Sequence, residues 1–286
     1  MENFNNNNKG IVIVSASRYS AYSLSVIHLL EKNNINIDLI LVKSFSGRKR
    51  LMKELKTSGF GFFIKIYKKI VLQNLVRVGF KSKNIDGFSE YFSKCNIKTA
   101  SLVQYANAHK IKYIETPDFH LESIVTTIRA LETKLIVFTG GGLLRAKLIN
   151  TAKYGVINCH MGILPKYRGM DCNYWAFLNK DYNSLGFTVH IIDSGVDTGP
   201  IIRRYYIDLF KYNSIAELYK FIEYSLAEAM VDGVCQIFSG KVDYEVQKVD
   251  SGKQYYTITP ELSLFAESAY KKISASFFFN NEPTAL

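Results

Sequence analysis

Asn158 and His160 stand two residues apart in the run GVINCH, residues 155–160, whose apolar types read as a strand. Side chains two apart on a strand share one face, so an amide and an imidazole point the same way. The carboxyl end of a parallel strand is where α/β proteins place their ligands. There an amide N–H stabilises an oxyanion and an imidazole moves a proton. Further along, residues 186–200 read GFTVHIIDSGVDTGP, a strand and then a loop that carries Asp193 and, between Gly195 and Gly199, Asp197. A carboxylate in a loop of this kind can approach a histidine and hold its imidazolium form. Taken alone, Asp197 also reads as a turn residue that caps its own loop.

The elements that must position these groups follow an α/β rhythm. Residues 11–14 form a buried strand, 20–32 a helix whose stripe holds Leu24, Ile27 and Leu30, and 37–42 a second strand. Strand, helix and strand at this spacing predict a right-handed βαβ unit of a parallel sheet. The alternation resumes with a helix at 101–109, a strand at 112–115, a helix at 121–131 and a strand at 135–139 that runs into Gly140, Gly141 and Gly142. A short helix at 143–152 leads to the Asn158 strand, and strands at 186–192 and 199–206 follow. The fold class is therefore α/β, a mostly parallel sheet flanked by helices. A long amphipathic helix at 214–238 and a β-hairpin at 242–258, turning at Asp250-Ser251-Gly252, are expected as a C-terminal extension, with a loose final dozen residues.

Between the second strand and the third the rhythm breaks. Phe60, Phe63, Ile64, Tyr67, Ile70, Val71, Leu75 and Val78 recur at helical spacing beside Lys65, Lys68 and Lys69. This predicts a basic amphipathic helix within an insertion at 47–95, laid over the sheet or presented to a membrane surface or a partner. The domain reading is an Asn-rich tail at 1–9, a catalytic domain at 10–208 that contains the insertion, and the extension at 209–286.

Composition narrows the function classes. The 286 residues are 48% hydrophobic, which excludes wholesale disorder, and five prolines exclude a proline-rich linker protein. Cys95, Cys159, Cys172 and Cys235 share no short repeated spacing, so neither a disulfide framework nor a cysteine zinc site is expected. The opening MENFNNNN lacks the basic and apolar regions of a signal peptide, and no apolar run approaches the ~20 residues that span a bilayer. The expectation is a reduced, cytoplasmic protein without a transmembrane segment. A net charge of +11 favours anionic partners without choosing among phosphates, nucleic acid and membrane.

Read together, the two motifs become specific. The pattern N-x-H-x-G-x-L-P-x-Y-R-G from Asn158, a downstream Trp175, then G-x-T-x-H-x-x-D-x-G-x-D-T-G-x-I from Gly186 resembles the folate-dependent formyltransferase family. That family includes glycinamide ribonucleotide and methionyl-tRNA formyltransferases and the N-formyltransferases of nucleotide-linked amino sugars. The resemblance is close over 135–205, while 10–45 and 97–134 match only in alternation. It implies a Rossmann-like fold and N10-formyltetrahydrofolate as the formyl donor. It carries the catalytic Asn, His and Asp onto Asn158, His160 and Asp197. It also implies a pterin held mainly by main-chain groups of Gly142, Leu143, Leu144 and Arg145 and of Asp193, Ser194 and Val196. Whether His160 or Asp197 is the base stays open, and no metal is required.

The acceptor is argued from the C-terminal region. One long helix and one hairpin after Tyr206 hold too little strand for the β-barrel of the tRNA enzymes, and the glycinamide enzymes have no such region. The arrangement is most like the sugar enzymes. The expected acceptor is a nucleotide-linked amino sugar, a dTDP-linked 3- or 4-amino-deoxysugar for a formamido sugar of surface polysaccharide or O-antigen, handled by a homodimer. No nucleic-acid partner is expected. Candidate acceptor contacts are Ser17 and Arg18, where the first strand meets the first helix, and Met161, Lys166, Tyr167 and Arg168 beside the catalytic strand. Trp175 reads as a stacking ring or as core, and Tyr255 and Tyr256 as ligand or dimer contacts. The alternatives are methionyl-tRNA formylation, formyltetrahydrofolate hydrolysis, and a non-enzymatic, membrane-associated binding protein built around 59–78.

Overall fold

The computed structural model describes residues 10–44, 92, 97, 101–248 and 250–280. The tail at 1–9 and the apolar positions 60–78 of the basic helix fall outside the described residues. β1 (Ile11–Ser15), α1 (Ala21–Lys32) and β2 (Ile37–Lys43) open the fold. Ser20 starts α1 by accepting the Ser23 N–H on its hydroxyl, and Leu24, Ile27 and Leu30 bury its stripe. Then come α2 (Leu102–His109), β3 (Lys112–Thr116), α3 (Glu122–Ala130), β4 (Leu135–Phe138), α4 (Ala146–Ile149) and β5 (Val156–His160). β6 (Tyr167–Gly169), α5 (Cys172–Leu178), β7 (Gly186–Ile191), β8 (Ile201–Tyr206), α6 (Ile215–Ser239), β9 (Lys253–Tyr255) and α7 (Pro260–Asn280) complete it.

Seven strands form one sheet in the order β3-β2-β1-β4-β5-β7-β8. Pairing is parallel from β3 to β5, and β7 and β8 add as antiparallel partners. This is a Rossmann-like α/β fold. Both faces of the sheet are covered, which is why β1 reads as an unbroken apolar run. Ile11 and Ile13 pack on the side of α1 and α6, while Val12 and Val14 pack on the side of α3 and α4. The chain reverses direction across the sheet between β1 and β4, and the strand ends there open the crevice that positions the site. No helix among the described residues is long and apolar enough to cross a membrane.

The C-terminal region corrects the hairpin expected at 242–258. β9 does not pair with its own neighbours; it pairs in parallel with β6, and Glu245 forms an antiparallel bridge with Ile201. The reason is a better partner at long range. The 161–175 loop offers an unpaired strand edge, and Met170 N–H and Trp175 Nε1–H donate to the carbonyls of Tyr255 and Tyr256 at 3.0 and 2.8 Å. Two glycines allow the approach: a Cβ on Gly169 would lie 2.2 Å from the Tyr255 carbonyl oxygen, and one on Gly252 1.5 Å from that of Pro165. The stretch expected to be loose is helical as far as Asn280. α7 is anchored by fully buried Ala266 and Tyr270, whose hydroxyl donates to the Leu209 carbonyl at 2.9 Å.

Candidate active site

The β5–β7 register sets Asn158 opposite His190 and His160 opposite Thr188. Asn158 Nδ2 lies 3.2 Å from His190 Nε2, and His190 Nδ1 lies 3.0 Å from the Ile191 carbonyl. The carbonyl can only accept, so Nδ1 carries the proton and Nε2 accepts from the Asn158 amide. Burial drives the His190 pKa down to about 4, against the pull of the Asp197 carboxylate. The ring is therefore neutral near pH 7, and one Asn158 proton is fixed on it while the other is left for a ligand.

That depressed pKa has a consequence for stability. Across pH ~4 to 6.5 the unfolded chain binds a proton at His190 that the folded chain refuses. Stability from this group is complete above pH ~6.5 and is lost as pH falls toward ~4, on the order of 3 kcal/mol in total at ~1.4 kcal/mol per pKa unit. His190→Gln is expected to flatten the pH dependence of denaturant unfolding in that window. An unchanged slope would show that His190 is not buried as a neutral ring.

His160 is 7% exposed, with Nε2 2.9 Å from the Tyr167 carbonyl and Nδ1 3.4 Å from Asp197 Oδ2. Both ring nitrogens thus face oxygen acceptors. Asp197 holds φ +52, in the left-handed region. It accepts the Gly169 N–H on Oδ2 at 2.8 Å and turns Oδ1 to 3.6 Å from His190 Nε2. Its loop is shaped by Asp193, whose Oδ1 accepts from Gly195 N–H at 3.0 Å and from Thr198 hydroxyl at 2.6 Å. One carboxylate is therefore shared between two imidazoles, whose rings stand edge to face at 6.3 Å.

These groups open onto a cleft of about 960 Å³. Asn158, His190 and Asp197 form one wall; Gly142, Leu143, Leu144 and Arg145 form another, and Asp193, Ser194 and Val196 the rim. His160 does not line it and stands behind Asp197. The 142–145 loop is tied across the crevice by His120: its Nε2 accepts the Arg145 N–H at 3.0 Å, and its Nδ1 lies 2.8 Å from Asp118 Oδ1. His190 is the histidine of the second motif, to which the sequence reading gives no role, and His120 lies outside both motifs.

The expected acceptor contacts do not line this cleft. Tyr167 and Arg168 are buried. The Tyr167 phenol, pushed up to about 12 mainly by burial, donates to Asp181 at 2.9 Å. Arg168 Nη2 donates to Gln247 Oε1 at 3.1 Å. Lys166 pairs with Asp181 at 2.5 Å, and Arg18 with Glu115 at 2.7 Å. Ser17 caps its own turn by accepting the Tyr19 N–H at 3.2 Å, and Met161 packs against the core. Trp175 and Tyr167 flank the Tyr255 ring at 5.6 and 5.1 Å. No cluster of three metal-ligating side chains occurs among the described residues.

A family model described as formyl transferase matches residues 89–234. The chain belongs to the formyl transferase family. The methionyl-tRNA formyltransferase of Halothermothrix orenii is 29% identical over 154 residues, covering 53% of this chain and 48% of that one. The chain spans about half the length of the curated relatives it matches first. A glycinamide ribonucleotide transformylase from Symbiobacterium toebii shares the fold with a TM-score of 0.55 and 12% identity, over 85% of this chain and 96% of that one. An N-formyltransferase from Helicobacter canadensis, solved with folinic acid and dTDP-3-aminofucose, shares it with a TM-score of 0.50 and 17% identity, over 92% and 80%. A methionyl-tRNA enzyme, a glycinamide ribonucleotide enzyme and an N-formyltransferase solved with dTDP-3-aminofucose all resemble this chain, so membership of the family leaves the acceptor open.

Proposed function

We propose that this protein moves a formyl group from N10-formyltetrahydrofolate to the amine of a nucleotide-linked amino-deoxysugar. The observation that carries the reading is the meeting of the Asn158 amide and the Asp197 carboxylate on one wall of a cleft bounded by the 142–145 and 193–196 loops. The residues fit the donor. Main-chain groups of both loops suit the polar edge of a pterin, and Leu143, Leu144, Val196, Phe138 and Ile192 suit its faces. Lys43 and Arg145 offer positive charge to a carboxylate tail. When bound, the folate supplies a formyl carbonyl bonded to its N10.

Asn158 Nδ2–H donates to the oxyanion that develops as the amine attacks. Asp197 takes the proton that the attacking nitrogen must lose and delivers one to the departing N10, so the exchange balances. His160 stands behind Asp197, its Nδ1 3.4 Å from Oδ2, and neutral His190 fixes the Asn158 amide.

The sugar reading is supported by the Helicobacter canadensis N-formyltransferase solved with folinic acid and dTDP-3-aminofucose, whose fold this chain shares over 92% of its length. The finer reading is a dTDP-linked 3- or 4-aminosugar bound for a surface polysaccharide. It includes a cytoplasmic homodimer that uses the exposed Leu264 and Phe265 face of α7. The domain reading, a catalytic unit to about residue 208 with a C-terminal extension, belongs to the same proposal.

The test is purified protein with formyl-folate, offered a panel of nucleotide-linked amino sugars, charged initiator tRNA, or no acceptor, and read by product mass. A formamido nucleotide sugar is the expected product. Formyl-methionyl-tRNA, or formate without any amine, would replace this reading with the corresponding alternative.

A further inference from the structure

We infer that a strap of the C-terminal extension, residues 241–248 and 250–258, completes the catalytic site from outside the catalytic domain, and that Gln247 is a positioning residue for Asp197. The inference rests on the proposed formyl-transfer role of Asp197. A non-glycine residue holds a left-handed backbone only where its surroundings impose it, and Asp197 sits at φ +52. On one side its carboxylate is fixed by the Gly169 N–H. On the other, Gln247 Nε2 donates to the main-chain carbonyls of Asp197 at 3.0 Å and Gly199 at 2.6 Å. Gln247 Oε1 in turn accepts from buried Arg168. The amide therefore spends both protons and its oxygen on the Asp197 loop and on the strand that carries Gly169.

The strap that brings Gln247 there is clamped on both flanks. Before it, Glu245 bridges Ile201 through both main-chain groups at 2.8 and 2.9 Å and pairs with Arg204 through two bonds of 2.6 Å. After it, β9 pairs with β6, and Gly252 passes under Pro165 with no room for a Cβ. Gln247 does not line the cleft, so its effect on the chemistry runs through Asp197.

The test uses the full chain with Gln247→Met and Gln247→Glu. Methionine keeps the length and loses every hydrogen bond. Glutamate keeps an oxygen for Arg168, now charged, but sets an acceptor against two carbonyls. Stability and chemistry should therefore part company. Gln247→Glu is expected to melt within a few degrees of wild type and to lose about 10²-fold in kcat, the scale of a small misplacement in a positioned site. KM for formyl-folate should hold within about threefold, because the cofactor loops are untouched. The imidazole 15N shifts of His160 and His190, which report the facing carboxylate without turnover, should move in both variants. Wild-type kcat with unmoved shifts in either folded variant overturns the inference. A wild-type chain that formylates nothing overturns the proposed function instead, and the histidine shifts alone then judge the strap.

Discussion

Asp197→Asn is expected to leave the chain folded and to lower kcat by about 10²–10⁴-fold, the range for losing a positioned proton-transfer group. Asparagine tolerates the left-handed backbone at least as well as aspartate, and its amide oxygen can still accept the Gly169 N–H that now reaches Oδ2. What disappears is the charge. His160 Nδ1, 3.4 Å away, then faces a neutral amide, and the carboxylate that stands between His160 and His190 is gone. Among the influences on His190, Asp197 is the largest that raises its pKa, so the variant's His190 should titrate lower still by NMR. The kinetic measurement is single-turnover formyl transfer with saturating folate. Activity within fivefold of wild type would remove Asp197 from the reaction.

Asn158→Ala should cost about 10²–10³-fold in kcat, as expected for one oxyanion donor. The loss should fall on kcat rather than KM, because the bond strengthens only as charge develops on the oxygen. Asn158→Asp is the sharper variant. It is nearly isosteric, yet it puts a second carboxylate beside Asp197 and turns an acceptor toward the developing oxyanion. It should therefore be at least as defective as alanine. If either variant instead raised KM and spared kcat, Asn158 would be a binding residue. Asn158→Ala combined with Asp197→Asn should cost much less than the product of the two, because the groups act as one unit.

How much of this was legible in the sequence depended on the range of the interaction. β1 and β4 are legible because both faces of each are packed and all their residues but Ser15 are apolar. The i, i+2 placement of Asn158 and His160 at a strand end needed only the pleat. By contrast, the Asn158–His190 contact depends on antiparallel register between β5 and β7, which no local spacing encodes. His120 reaches Arg145 N–H across the crevice from another loop, and nothing near it in sequence hinted at that partner. The hairpin reading failed in the same way: turn residues at 250–252 signalled a reversal, but the strand edge that β9 prefers belongs to residues 167–169. Tyr167 and Arg168 read as ligand contacts by type and motif, whereas their burial and their bonds to Asp181 and Gln247 follow from packing that the sequence does not show.

The parallel pairing of β9 with β6 also bears on the order in which the molecule comes together. Every strand of the seven-stranded sheet precedes residue 207, whereas Glu245 and Tyr255, the partners of Ile201 and Gly169, come later in the chain. During synthesis the sheet can be assembled while the Asp197 turn still waits for the segment that latches it. A nascent chain halted before that segment would carry every reactive side chain and still be inert.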